Sequence, residues 1–165
     1  MDYDFYLNKF HLAITDALQI ELENKGLKSS VDIVMESIAL KIYKPEWSSN
    51  MMEPLEAVSR IFFSIWINDK TIQEEKMYYN IHALKLRGLK DYTISSKEFA
   101  GNFRSKFLKY QKDWPNVNVE YGPLTLMQGW VYLDMDFIQE NVGELIHNFL
   151  KISPVIDIVL KEYKK

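Results

Sequence analysis

The sequence predicts an α+β fold in two layers, with a mainly antiparallel sheet of about five strands and three or so helices on one face. Two observations predict it. Apolar residues recur every three to four positions near both ends of the chain and after residue 95, as in amphipathic helices. Between these segments, apolar residues alternate over short runs separated by turn residues, which is typical of hairpins. The 165 residues predict a single α+β domain, 1–165, in the order α-β-β-β-α-β-β-α.

The first predicted helix covers residues 3–25 and ends at Gly26. Residues 31–43 look extended, but their apolar positions change from odd to even numbers after Met35. A β-bulge near residues 36–37 explains the change, because one extra residue reverses the two faces of a strand. A helix is the alternative, since short apolar runs fit both structures.

Residues 44–54 predict an irregular loop, because Pro45, Pro54 and small polar residues interrupt any periodicity. The loop carries Trp47, a candidate anchor for a binding partner. The alternative is that Trp47 folds back as a lid over the core.

Residues 57–68 and 77–86 alternate well and predict two strands of one hairpin, joined by the polar turn 69–75. The first of these strands is expected to place Ile61, Phe63, Ile65 and Ile67 on its buried face.

A capping box of Ser95 and Glu98 predicts the start of the next helix, which ends before Pro115 because proline cannot continue a helix. This helix carries a narrow aromatic stripe, which predicts that it packs on the sheet. The stripe consists of Phe99, Phe103, Phe107 and Tyr110.

Residues 117–121 and 126–135 predict a second hairpin around Gly122 and Pro123. Gly129, inside the second of these strands, indicates either a bulge or a close backbone approach.

Two further helices are expected at the end of the chain. Asp136 is expected to cap the first of them. Ser153 and Pro154 are expected to start the last one, because serine is favoured at the cap and proline at the first helical position.

The composition is 47% hydrophobic and 26% charged, which excludes a disordered chain. There is no cysteine, so disulfides and thiolate metal sites are excluded. The N-terminus lacks the pattern of a signal peptide and no apolar run is long enough to span a membrane, so a cytoplasmic location is expected.

No phosphate-binding glycine loop, zinc motif or nucleophile elbow is present, which disfavours the common motif-marked enzymes. No cofactor and no metal is therefore expected. His82 as a general base has no identifiable partner in the sequence. Asp134 and Asp136 are more simply explained as a solvated residue and a helix cap than as metal ligands.

The main candidate site comes from strand parity. The sheet face opposite the predicted core combines large aromatic side chains with hydrogen-bonding groups, as interfaces and ligand pockets do. The alternative is that one of the helices or the Trp47 loop covers this face. The candidate binding residues on this face are Trp66, Tyr78, His82, Trp130 and Tyr132, accompanied by Phe62, Ser64, Asn80 and Asp134.

Three functions are compatible with these patterns. The leading hypothesis is a non-enzymatic module that binds a protein partner, and the first partner expected is a second copy of the chain in a homodimer. A ligand-binding or enzymatic pocket on the same face is the second. The third is nucleic-acid binding through the basic segment 85–112, in which the candidate contacts are Arg87, Lys97, Arg104 and Lys112.

Overall fold

The computed structural model describes all residues from 1 to 165 and confirms the α+β class. A five-stranded antiparallel sheet has the strand order β1-β2-β3-β4-β5, in which every strand pairs with its neighbours in sequence. The strands are β1 (Lys28–Val34), β2 (Ser37–Ser48), β3 (Arg60–Ile67), β4 (Lys76–Leu84) and β5 (Thr125–Tyr132). The helices are α1 (Tyr3–Ala13), α2 (Asp16–Asn24), α3 (Asp69–Gln73), α4 (Ser96–Phe107) and α5 (Ile138–Glu162).

The predicted first helix is two helices in the structure. The Thr15 side chain caps α2 by accepting a hydrogen bond from the Leu18 backbone N–H, so the chain bends between Ala13 and Asp16. The apolar spacing continues across the bend because both helices bury apolar residues in the same core, Tyr6, Phe10 and Ala13 from α1 and Leu18 and Leu22 from α2. The polar turn 69–75 also contains a short helix, α3, which is capped reciprocally by Asn68 and Thr71.

The predicted bulge near residues 36–37 is wrong. Residues 31–43 form parts of two strands, joined by the two-residue turn Met35–Glu36, in which both φ angles are positive (48° and 66°). Such turns match the natural twist of hairpin strands. The apolar parity changes because the chain reverses direction there.

The predicted loop 44–54 begins as strand, since β2 continues to Ser48. Trp47 is 1% exposed and lies in the core, edge-on to Phe149. Its indole N–H donates to Asp157 Oδ1 at 2.8 Å, and Lys44 Nζ binds Oδ2 of the same carboxylate at 2.7 Å. Trp47 is therefore a core residue and not a surface anchor.

Only one strand of the second predicted hairpin forms. Residues 117–121 contact β5 through the single bridge Asn118–Gln128. The predicted close backbone approach at Gly129 is confirmed, because a β-carbon there would lie 3.0 Å from the carbonyl oxygen of Pro115 and would overlap the Tyr79 ring.

The end of the chain is one helix, α5, with Pro154 inside it. The predicted restart at Ser153 is wrong. Pro154 has no backbone N–H to donate to the Leu150 carbonyl, but that carbonyl accepts a hydrogen bond from the Ser153 hydroxyl at 3.3 Å, so the helix continues. Asp136 does not cap α5. The helix begins at Ile138, and the Asp136 N–H instead donates to Asp134 Oδ1 at 3.0 Å.

The core lies between one face of the sheet and helices α1, α4 and α5. Phe63 stacks on Phe149 of α5 with ring centroids 4.5 Å apart, and Trp114 packs edge-on against Phe63. The predicted inward residues of β3 are all buried. None of the helices combines the length and apolar character needed to cross a membrane.

Candidate functional site

The second face of the sheet, here called the open face, carries no helix. The strand register aligns its side chains in three rows across β2–β5. The rows are Ala39–Trp66–Tyr78–Trp130, Lys41–Ser64–Asn80–Gln128 and Tyr43–Phe62–His82–Thr125. The predicted strand parity is thus correct, and the candidate residues of β3, β4 and β5 do meet on one surface.

A shallow groove of about 470 Å³ runs over this face. Its lining comes from all five strands, the β1–β2 turn and Asn68, and no helix residue borders it. Met35, at the hairpin tip, is 93% exposed and forms one wall. The groove is therefore an open trough along the sheet and not an enclosed chamber.

Two aromatic pairs dominate one end of the open face. Trp66 and Tyr78 stack with centroids 5.0 Å apart and planes 18° from parallel. Next to them, Trp130 and Tyr132 contact edge-on at 5.1 Å. Tyr132 is 71% exposed, while the other three rings are partly exposed, so the cluster offers broad apolar area to a partner.

The floor of the groove is a buried polar chain. Ser64 Oγ donates to Asn80 Oδ1 at 2.6 Å, and Asn80 Nδ2 donates to Gln128 Oε1 at 3.3 Å. Because each group has a partner, the chain fixes the orientation of the side chains in the middle row.

Cations lie over the rings of the open face. Lys41 Nζ lies 4.9 Å and the Arg60 guanidinium carbon 5.4 Å from the ring centroid of Phe62. Lys76 Nζ lies 4.3 Å from the ring centroid of Trp130. None of these three cations forms an ion pair. The aromatic faces attract the positive charges, which still lack anionic partners.

The charge of the open face differs from that of the chain. By strand parity the face carries Lys28, Lys41, Arg60 and Lys76 against the single acid Asp32, whereas the whole chain has a net charge of −3. The electrostatic field of the open face therefore favours anionic groups.

Burial lowers the pKa of the Lys41 ammonium, and the neighbouring Arg60 lowers it further, while Asp32 partly offsets both effects. Burial also lowers the pKa of His82, a backbone hydrogen bond at Leu124 opposes this, and Lys41 and Arg60 add to the lowering. Both groups are thus held in an environment short of negative charge.

His82 contacts a hydroxyl and an aromatic ring. Its Nδ1 lies 3.4 Å from Thr125 Oγ1, its ring packs on Phe62, and no carboxylate contacts it. Asp134 follows the end of β5 and lines a separate cavity with Asn116 and Tyr132, so it does not join His82.

The candidate residues outside the sheet do not join the open face. Arg87 is exposed in a short 3₁₀ turn, Leu86–Gly88. The Arg104 guanidinium donates to four carbonyl oxygens, those of Tyr121, Gly122, Thr125 and Leu126, at 2.9–3.1 Å. Arg104 therefore holds the approach to β5 in place, with the donors of its Nε and Nη2 directed at these carbonyls.

Sequence reasoning missed the cations of the open face. Strand parity alone would have found Arg60 and Lys76, since each lies an even number of residues from a tryptophan of β3 or a tyrosine of β4. Lys41 and Met35 were hidden by the misassigned turn. Comparison with protein-family models, curated proteins and solved structures finds no match to this chain.

Proposed function

We propose that this chain is a small interaction module that binds an acidic protein partner on the open face of its sheet. The observation that carries the proposal is the combination of a helix-free aromatic surface with three cations that have no carboxylate partners. Aromatic rings and arginine are the side chains most often responsible for affinity at protein interfaces.

The shape of the groove supports a protein partner over an enclosed small-molecule site. Small ligands are usually buried in clefts that cover most of their surface. The trough of the open face is shallow, and the stacked Trp66–Tyr78 pair stands beside it as a broad apolar wall. An extended peptide or a protein edge would cover such a surface.

The charges indicate the chemistry of the partner. Removing Lys41 and Arg60 further from water without an anion would be costly, because two like charges already lie over the same ring. A partner carboxylate placed between them would offset that cost. For the same reason, two copies of this chain packed face to face would bring basic residues against basic residues.

Peptide binding tests the proposal. The probes are a fluorescent peptide of alternating glutamate and leucine and a fluorescent oligo(dT), each measured by anisotropy at several salt concentrations. We expect the peptide to bind, and we expect Trp66→Ala and Lys41→Gln each to weaken binding at least tenfold. Lys151→Gln, at an exposed position on α5, is the matched charge control and should leave binding unchanged.

Three results would count against the proposal. Failure of the acidic peptide to bind, or equal binding by the Trp66→Ala variant, would remove the open face as its site. Tighter binding of oligo(dT) than of the peptide, with a steep salt dependence and loss in Trp66→Ala, would assign the face to single-stranded nucleic acid instead.

A further inference from the structure

The edge of the sheet formed by β1 has no partner in the chain. β1 is the first strand in the sheet order, and it pairs only with β2. None of the backbone hydrogen bonds outside the helices and strand ladders involves residues 28–34. A free edge of seven residues is a template for another strand.

The opposite edge is closed. Asn118 exchanges two backbone hydrogen bonds with Gln128, and Asn116 Nδ2 donates to the carbonyl of Trp130 at 3.1 Å. Arg104 occupies the carbonyls of Thr125 and Leu126. The chain therefore protects β5 against pairing and leaves β1 available.

We infer that β1 pairs antiparallel with β1 of a second copy, which joins the two sheets into one of ten strands. The turn geometry determines which groups take part. In a two-residue hairpin the closing pair, Val34–Ser37, is hydrogen-bonded, so every second residue back from Val34 bonds to β2. The free N–H and C=O groups are consequently those of Ser29, Val31 and Ile33.

A two-fold axis at Val31 uses all of these groups. It places Val31 opposite Val31 of the second copy and Ser29 opposite Ile33 of the second copy, with their backbone groups facing each other. Val31 and Ile33 are partly exposed or exposed in the single chain, and Ile33 is 51% exposed. Pairing would cover both apolar side chains on the core side of the sheet edge.

The charges of β1 are self-complementary in this arrangement. Lys28 and Asp32 are exposed, lie on the open face and form no ion pair within the chain. In the two-fold arrangement, Lys28 lies diagonally across from Asp32 of the second copy, within reach of its long side chain. The contact occurs twice because the interface is isologous.

This dimer is independent of the proposed partner site. Edge pairing leaves Trp66 and the groove uncovered, because β1 meets its copy at the sheet edge and not on the sheet face. The two proposals can therefore fail separately: the peptide measurements above test the face, and self-association tests the edge.

Sedimentation velocity between about 1 and 200 µM tests the edge. We expect a concentration-dependent dimer for the unaltered chain. Val31→Pro removes an outward N–H at a position where an edge strand tolerates proline, and it should give a monomer. Val31→Thr keeps the N–H and the β-branched shape, so it should remain dimeric, with circular dichroism confirming that both variants fold.

A charge exchange provides the second test. Lys28→Asp and Asp32→Lys should each raise the dimer dissociation constant about tenfold, because two attractive contacts become repulsive. The double variant should restore it. A monomeric unaltered chain at 200 µM, a dimer that persists in Val31→Pro, or a double variant no better than the single ones would overturn the inference.

Discussion

Gly129→Ala is the substitution whose effect the structure specifies most closely. Gly129 lies in β5 directly opposite Tyr79 of β4. A β-carbon at this position would lie 2.5 Å from Cζ of the Tyr79 ring and even closer to its hydroxyl oxygen. It would also lie 3.0 Å from the carbonyl oxygen of Pro115. Carbon atoms prefer separations of about 3.5–4.0 Å, so either the ring or the strand has to move.

Moving either the Tyr79 ring or the β5 strand would disrupt contacts in the core. Tyr79 is fully buried, packs on Trp114, and donates its hydroxyl to the Pro115 carbonyl at 2.6 Å. Burial raises the pKa of this hydroxyl, as expected for a group kept neutral inside the core. Overpacking of a well-filled core costs about 1–3 kcal/mol, and loss of the hydrogen bond adds about 0.5–1.5 kcal/mol. We therefore expect Gly129→Ala to lower the free energy of unfolding by about 2–4 kcal/mol.

Urea unfolding followed by tryptophan fluorescence measures the effect, provided that the m-value does not change. Gly101→Ala is the matched control, because Gly101 lies inside α4 with no atom within 4 Å of a new β-carbon. It should stabilise the protein by about 0.5–1 kcal/mol. Tyr79→Phe removes the closest atom, so it should cost less in the Gly129→Ala background than alone. A Gly129→Ala variant within about 0.5 kcal/mol of the unaltered chain would refute the reasoning.

Three further predictions concern the turn, the histidine and the β5 edge. Met35→Asn with Glu36→Gly should stabilise the fold by about 1–2 kcal/mol in thermal unfolding, because both residues now occupy left-handed backbone; an unchanged melting temperature would contradict this. Folding lowers the pKa of His82, so the unfolded state takes up more protons than the folded state as the pH falls through about 6.5, and the protein loses stability. His82→Gln should therefore reduce the loss of unfolding free energy between about pH 7.5 and 5.5. Identical pH profiles of the two proteins would contradict this. Arg104→Met should lower the free energy of unfolding in urea by about 2–3 kcal/mol, because four carbonyls lose a charged donor. The control Lys97→Met, at an exposed position on the same helix, should change it by less than about 0.5 kcal/mol. Equal effects of the two substitutions would argue against this role of Arg104.

The sequence predicts best where local pattern and tertiary packing agree. β3 and β4 have clean alternation, and their predicted ranges lie close to the observed ones. The cap at Ser95 starts α4 where the sequence predicts, but the α-helix ends at Phe107, and the rest of the predicted helix, Leu108–Asp113, is a 3₁₀ helix. The sequence also indicates special backbone geometry at Gly129, either a bulge or a close approach, and the structure shows the close approach to Tyr79 and Pro115.

The errors have physical causes that lie outside the local pattern. The Met35–Glu36 turn lacks the glycine or asparagine that usually marks such a hairpin, so the change of parity alone does not distinguish a reversal from a bulge. Pro154 normally ends or begins a helix, but Ser153 supplies the missing donor within α5. Trp47 has its partner, Asp157, 110 residues away, and no local rule connects them.

The residues of the candidate site likewise fall into those that the sequence predicts and those that only the structure reveals. Alternation placed Trp66, Tyr78 and Trp130 on one face, because strand parity depends only on the neighbouring residues. Parity also places Arg60 two residues from Phe62 on β3, and the structure brings the two together. The approach of Lys41 to Phe62 and of Lys76 to Trp130 depends on the register between neighbouring strands, which only the structure supplies. Charge counted along the sequence pointed to segment 85–112, whereas charge counted across the sheet points to the open face.

The two proposed surfaces reinforce each other. Edge pairing at Val31 would set two open faces side by side on one surface of a ten-stranded sheet, with the basic residues of both copies directed to the same side. A partner with two acidic segments would then bind the second face at a high effective concentration, and its apparent affinity would exceed that of either face alone. Val31→Pro, which separates the copies without altering Trp66 or Lys41, should therefore weaken binding of a tandem acidic peptide while leaving the affinity for a single peptide unchanged. Equal losses for both peptides would mean that β1 supports the binding face itself and does not merely join two of them.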